Sequence, residues 1–304
     1  MPPELKDLEF PLYRYYISPP MIYKIMGGLK DYRIEKIKSN DKNILLFLKI
    51  NYERDKNFLM LSDYFNGEMR MKSQFLNSIS PWDYFQKNKK QIISLLGPRP
   101  DFETVYDYIW KNSRVCSSFP ILVARAILDL FKPSHVFDPC AGWGDRMLAC
   151  VSAGIPYTGV DPNIGLQKGY QTIIDFFDLN PELYKVYPSP FENKGEFKID
   201  KKFPLIFTSP PFFNMEKYTD DPNQSNLKFQ TYEKWRRGFL FPTIKGCLDL
   251  LEDNGKLVIY VNNIKGYSIL DDTRGYLTSL NIKFMGKIVW KNNKYPKNVL
   301  VYQK

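Results

Sequence analysis

Residues 134–163 read SHVFDPCAGWGDRMLACVSAGIPYTGVDPN. A short apolar run, Val136-Phe137, ends in Asp138-Pro139. Gly142 and Gly144 follow, then a helix-like stretch that stops at Gly154. A second apolar run, from Tyr157, ends in Asp161-Pro162. Strand, glycine turn, helix and strand form the unit of a parallel sheet, because two parallel strands need a crossover of a dozen or more residues. Glycines at the end of a first strand let the backbone approach a ligand, and the next helix offers unpaired N–H groups. With Trp143 between the glycines and Arg146 after them, the turn lacks the third glycine of G-x-G-x-x-G, and no G-K-[ST] follows, so this is not a P-loop. Asp161 ends the second strand, where an acidic side chain is placed to accept hydrogen bonds from ribose hydroxyls. Together the two turns describe a nucleoside-containing cofactor lying across the strand ends.

The alternation continues downstream. GLQKGYQTIIDFFD (165–178) has an amphipathic helical period, and YKVYPS (184–189) and FPLIFTSPP (203–211) read as a third and a fourth strand. YEKWRRGFLFPTIKGCLDLL (232–251) reads as a long helix kinked or broken at Pro242. GKLVIYVNN (255–263) is a buried strand and SILDDTRGYLTSL (268–280) a helix. IKFMGKIVW and NVLVYQK close the chain as two strands joined by a polar turn, too close for a crossover helix. The expected fold is α/β, a Rossmann-like, doubly wound and mostly parallel seven-stranded sheet. An antiparallel hairpin strand closes it, and an N-terminal α+β extension precedes it. The turn GPRPD at 97–101 divides the chain into that extension, 1–100, and the sheet domain, 101–304. In the extension, NILLFLKINYERDKNFLMLSDYF reads as a strand pair turning at ERDKN. The extension is either a target-recognition module or a packing extension.

Composition narrows the function classes. The chain has 304 residues with a net charge of +10, which favours a polyanionic partner, nucleic acid being the common one. Cys116, Cys140, Cys150 and Cys247 have no C-x-x-C spacing, and His135 is the only histidine. No metal site is expected, and most histidine-based catalysis is excluded. Four lone thiols, an N-terminus without an apolar signal core and no 18-residue apolar run imply an intracellular setting, cytoplasmic, nuclear or viral.

At 206–213, IFTSPPFF, Ser209-Pro210-Pro211-Phe212 follows the fourth strand and is directed toward the same crevice. A second Ser-Pro-Pro, at 18–20, has no cofactor motif before it and Met21 in place of an aromatic; it reads as a turn. In this order, the motifs resemble class I S-adenosylmethionine-dependent methyltransferases that act on amino groups, adenine N6 or cytosine N4 in DNA. These carry [DNS]-P-P-[FYW] after the fourth strand. The resemblance covers residues 118–304. SSFPILVARAILDLF (117–131) is similar to the helix that precedes the cofactor loop in that family. Trp143 departs from the pattern, which has small residues in that loop. Ser209 is more like the cytosine enzymes, but adenine enzymes are the larger group, and the target base stays open.

The resemblance implies S-adenosylmethionine as cofactor, held by Asp138, Pro139, Cys140, Ala141, Gly142, Trp143, Gly144, Asp161 and Pro162, with Phe191 and Glu192 near its adenine. Ser209 Oγ and the Pro210 carbonyl would accept the amine hydrogens. Pro211 would stiffen the turn, and Phe212 would stack on the flipped base. The polar loop NMEKYTDDPNQSNLKFQ (214–230) reads as an active-site lid, with Phe213, Lys217, Tyr218, Asn223 and Gln224 as candidate substrate contacts. Arg236-Arg237 could meet phosphate or simply face water. DNA is the leading partner. RNA adenosine N6-methylation is the alternative, because RNA enzymes use similar signatures. A non-catalytic nucleic-acid-binding subunit of the same fold is the third reading.

Overall fold

The protein is described here by a computed structural model covering residues 3–193, 199–291 and 296–304. Its strands, in chain order, are β1 (Glu35–Lys36), β2 (Ile44–Lys49), β3 (Gln74–Phe75), β4 (Val136–Asp138), β5 (Tyr157–Val160), β6 (Tyr184–Tyr187), β7 (Phe203–Thr208), β8 (Glu216–Lys217), β9 (Leu251–Tyr260), β10 (Lys283–Lys291) and β11 (Pro296–Gln303). The helices are α1 (Pro19–Asp31), α2 (Tyr52–Leu59), α3 (Leu61–Lys72), α4 (Pro81–Leu96), α5 (Phe102–Asn112), α6 (Ile121–Phe131), α7 (Asp145–Ala153), α8 (Gln167–Phe176), α9 (Ser225–Lys228), α10 (Tyr232–Trp235), α11 (Phe241–Leu250) and α12 (Ile269–Ser279).

Nine strands form one sheet in the order β1-β2-β10-β11-β9-β7-β4-β5-β6. From β9 to β6 all neighbours are parallel, and β11 is antiparallel to both β9 and β10. The seven strands of this sheet that follow residue 101 therefore have the expected doubly wound arrangement with its closing hairpin. The polar turn of that hairpin, 292–295, lies outside the described residues. The central strands β4 and β5 are buried along their whole length, as a parallel sheet covered on both faces requires. Leu205 and Phe207 pack into one buried cluster with α6 and α7, while Ile206 joins α11 and α12 on the other face.

The N-terminal region is built differently from the expected strand pair. The first half, ILLFLK, is strand β2, but the remainder is helical, α2 and α3. Asn51 starts α2 by accepting the Arg54 N–H on its side chain, a local cap that outcompetes a hairpin turn. Strand β2 pairs in parallel with β10 and β1 adds antiparallel beyond it, so the sheet has nine strands rather than seven. Leu5, Phe10, Ile22, Leu48, Leu61 and Phe65 belong to the same buried cluster as Val136, Tyr157 and Val258. The extension is thus continuous with the core. The Ser-Pro-Pro at 18–20 opens α1, with Pro19 and Pro20 in its first turn, where missing N–H groups cost nothing.

The long helix after the lid is interrupted as expected near Pro242. A wide π-type turn at Arg236–Leu240 separates α10 from α11, and Pro242 stands in the first turn of α11. No helix among the described residues is long and apolar enough to cross a membrane. No cluster of metal-ligating side chains occurs among them.

Candidate active site

The turns after β4, β5 and β7 meet at the carboxyl ends of the parallel strands. They line one cavity of about 410 Å³, where open α/β sheets bind ligands. Pro139, Cys140, Gly142, Trp143, Asp161, Pro162, Phe191 and Glu192 line it beyond the ends of β4, β5 and β6. Ser209, Pro210, Pro211 and Phe212 line it beyond the end of β7.

The loop after β4 is held from behind by a buried ion pair. Asp138 is fully buried; it accepts from Arg146 Nε at 2.6 Å, from the Tyr157 hydroxyl at 2.8 Å and from the Cys140 N–H at 3.2 Å. Arg146 also donates to the Cys140 carbonyl. Asp138 is therefore occupied by its own loop and does not line the cavity, contrary to the cofactor contact expected of it. Ala141 and Gly144 are also behind the lining. Ala141 packs against Gly159, and Gly144 packs against α8. Gly142 and Gly144 have φ values of +60° and +91°, the left-handed region that favours glycine. They set the turn, and only Gly142 faces the cavity.

Asp161 bridges the two turns. One oxygen accepts the Gly142 N–H at 2.8 Å and the other the Asn163 N–H at 3.0 Å. Burial pushes its carboxyl up to about 6, against the lowering effect of those two N–H groups. Neighbouring Asp145, another lining residue, is also raised by burial to about 6. A carboxylate has about four lone-pair sites, so Asp161 keeps acceptor capacity toward the cavity. Asn163 lines the cavity too, and its Nδ2 is buried without a partner. Burial raises the Cys140 thiol well above its ordinary value, so it is not a thiolate nucleophile.

Across the cavity, Phe212 has its ring centroid 5.6 Å from that of Tyr260, which is 4.9 Å from Trp290. The Ser209 hydroxyl makes no hydrogen bond to another described residue. Phe213 points the opposite way. It is 4% exposed, takes φ +51°, and packs on Tyr232, Trp235 and Tyr267. The positive φ turns the chain so that successive rings serve the cavity and the core. Phe213 is therefore a core residue and not a substrate contact.

The 214–230 segment is a folded lid. Glu216, buried in the cavity wall, accepts from the Ser117 N–H at 2.7 Å, the Ser117 hydroxyl at 2.8 Å and the Tyr218 hydroxyl at 2.7 Å. Gln224 lines the cavity, but its polar atoms are spent on the lid: Oε1 accepts from the Tyr218 and Thr219 N–H groups, and Nε2 donates to the Glu216 carbonyl and to Asn226. Lys217 pairs with Asp220 and does not line the cavity. Tyr218 and Asn223 do line it. Glu192 pairs with Lys228 of α9 at 3.2 Å, closing the lid over the β6 end of the cavity. Arg236 and Arg237 are engaged by Glu233, and Arg236 also by Asp272. Arg236 is spent on those partners, whereas Arg237 stays largely exposed.

Sequence reasoning missed Phe75, Ser117, Asn163, Glu216, Tyr260 and Trp290, all of which line the cavity. Asn163 had a signal, its place in the quoted DPN turn. Phe75 had none, because only tertiary folding brings it to the lid.

No protein-family model matches the chain. Several solved structures are similar in fold. TrmN from Thermus thermophilus matches at 16% identity and TM-score 0.44, over 62% of this chain and 50% of that one. Magnesium protoporphyrin IX methyltransferase (ChlM) from Synechocystis PCC 6803, with bound SAM, matches at 11% identity and TM-score 0.45, over 73% and 94%. An rRNA methylase from Streptococcus thermophilus matches at 15% and 0.41, over 62% and 98%. The chain thus spans half the length of the first of these. At such identities and scores the fold is read from this chain's own strand order.

Proposed function

We propose that the protein is an S-adenosylmethionine-dependent methyltransferase acting on the exocyclic amine of a flipped base, adenine N6 or cytosine N4, with DNA as the leading substrate. One observation carries the reading: the glycine turn, Asp161 and Ser209-Pro210-Pro211-Phe212 share a single cavity at the carboxyl ends of β4, β5 and β7. The cofactor side fits the group proposed for it. Asp161 retains acceptor sites suited to ribose hydroxyls, Asn163 Nδ2 is an unused buried donor, and Gly142 leaves room for close approach. Phe191 supplies an apolar wall. When bound there, S-adenosylmethionine supplies an electrophilic methyl on a sulfonium.

The acceptor side suits a weak nucleophile. An exocyclic amine delocalises its lone pair into the ring. Ser209 Oγ and the Pro210 carbonyl would accept its two hydrogens, draw the nitrogen toward tetrahedral geometry and free the lone pair. Two prolines fix φ, so these acceptors stand in place before substrate arrives. The amine nitrogen would take the methyl from a sulfonium held there, which would leave as a neutral thioether, and the surplus amine proton would pass to solvent. Extruding the base from a duplex costs on the order of a few kcal/mol, and a stack on Phe212 returns roughly 1–3 kcal/mol. Tyr218 and Asn223 are placed to contribute contacts, and residues 1–100 reach the cavity through Phe75, which supports a share for them in target recognition. The net charge of +10 suits a polyanion.

The test is transfer of labelled methyl from S-adenosylmethionine to duplex DNA, single-stranded DNA and RNA, followed by nucleoside analysis. N6-methyladenine or N4-methylcytosine in DNA is the expected product. Label in RNA alone moves the substrate to RNA, and cofactor binding with no transfer to any of the three overturns the catalytic reading.

A further inference from the structure

The N-terminal region does more than cover the sheet, because a short strap of it touches both halves of the cavity. On α3, Asn66 is 3% exposed and donates from Nδ2 to the Trp143 carbonyl at 3.0 Å, inside the glycine turn. The fit is tight: a Cβ on Gly169 of α8 would fall 1.8 Å from Asn66 Oδ1. That glycine makes room for the amide. Seven to ten residues later the same strap reaches the lid. Ser73 Oγ donates to the Tyr218 carbonyl at 3.1 Å, and β3 pairs with β8 through Gln74↔Lys217 and Phe75↔Glu216. The Leu76 N–H then donates to the Met215 carbonyl at 2.7 Å, and the Met215 N–H donates to the Phe212 carbonyl at 3.1 Å. The turn with the proposed base-stacking ring is therefore tied by consecutive backbone bonds to the strap that grips the cofactor turn.

We infer that Asn66 is a positioning residue for the cofactor turn, and that residues 66–76 hold the cofactor half and the acceptor half of the cavity in register. The inference rests on the proposed function for what the two halves bind, and on the geometry alone for the coupling. In-line transfer tolerates little misplacement, since effective molarity depends on near-attack geometry. The two turns lie on different strands, β4 and β7. Their loops share contacts with the strap, so a shift of one is resisted by the other.

Two variants separate the ends of the strap. Asn66→Asp keeps the shape and the Oδ1 contact but removes the donor, leaving the Trp143 carbonyl without it. Ser73→Ala removes the hydroxyl that donates to the Tyr218 carbonyl. Hydrogen–deuterium exchange is measured on the cofactor-free protein, and S-adenosylmethionine is titrated by calorimetry. Asn66→Asp is expected to raise exchange in peptides covering 141–145 and, to a smaller extent, 212–218, to weaken cofactor binding by about tenfold, the size of one unsatisfied buried carbonyl, and to lower kcat at saturating cofactor. Ser73→Ala is expected to raise exchange over 212–218 and, to a smaller extent, 141–145, and to lower kcat more than cofactor affinity. Wild-type exchange at 141–145 in Asn66→Asp overturns the positioning role. Equal loosening of both turns and of the distant β10–β11 pair in both variants overturns the coupling in favour of general destabilisation. The exchange arm needs no cofactor. A wild-type protein that shows the expected exchange pattern yet binds no S-adenosylmethionine would remove the proposed function and leave the strap.

Discussion

Phe212 and Phe213 are neighbours with opposite roles, and single substitutions should separate them. Phe212→Ala, like Ser209→Ala, is expected to lose methyl transfer while keeping cofactor affinity and thermal midpoint; wild-type turnover in either would remove its assigned role. Phe213→Ala should cost roughly 3–5 kcal/mol of stability, as a buried aromatic does, and is read by denaturant titration. Asp161 carries a pH prediction. Its carboxyl is raised to about 6 in the folded protein, so it takes up a proton as pH falls through 6 and stops accepting from ribose. Cofactor affinity should be full above about pH 7 and fall below 6, by about tenfold per pH unit for one linked proton. Asp145 titrates in the same range, so Asp145→Asn is the control: the pH dependence should survive it and vanish in Asp161→Asn. At this scale Gly142, Asp161 and Ser209 were legible in the sequence because strand ends in an α/β sheet have a fixed destination. Asp138 was misread. Nothing local reveals that Arg146, the second residue of α7, folds back to take both its oxygens.

The 214–230 stretch reads as a polar, aperiodic lid, and its polar groups are largely spent internally. Gln224 alone connects four other residues. Gln224→Ala should leave the lid carrying unsatisfied groups, at about 1–3 kcal/mol for a buried one. Limited proteolysis should then cut within 214–228 far faster than in the wild type, with β4–β7 intact. An unchanged cleavage rate would mean that the lid does not depend on this clasp. Residues 51–65 were misassigned, because their state depends on partners far along the chain. Their mixture of aromatic and charged residues fits a strand pair as well as an amphipathic helix, and the deciding observations were a cap at Asn51 and a surface on α8 for α3 to meet. Pro242, by contrast, was readable, because a missing N–H inside a helical run has few outcomes.

At the scale of the molecule, the seven-stranded arrangement followed from alternation alone, and the two added strands did not. Strand β2 carries no mark of its partner, and β10 lies more than two hundred residues away. A chain beginning at residue 51 would expose the β10 edge and lose Leu5, Phe10, Ile22 and Leu48 from the shared core. It should be recovered insoluble or without a cooperative unfolding transition, whereas a soluble, cooperatively folding product would show that the rest of the sheet stands without β1 and β2. The same pairing carries a consequence for biosynthesis. Strand β2 ends at Lys49 and its partner begins at Lys283. At 5–20 residues per second a ribosome needs roughly 10–50 s to make the intervening chain. Throughout that interval the edge of the apolar ILLFLK segment that meets β10 has no partner, and a slowed translation of the second half should lower the soluble yield.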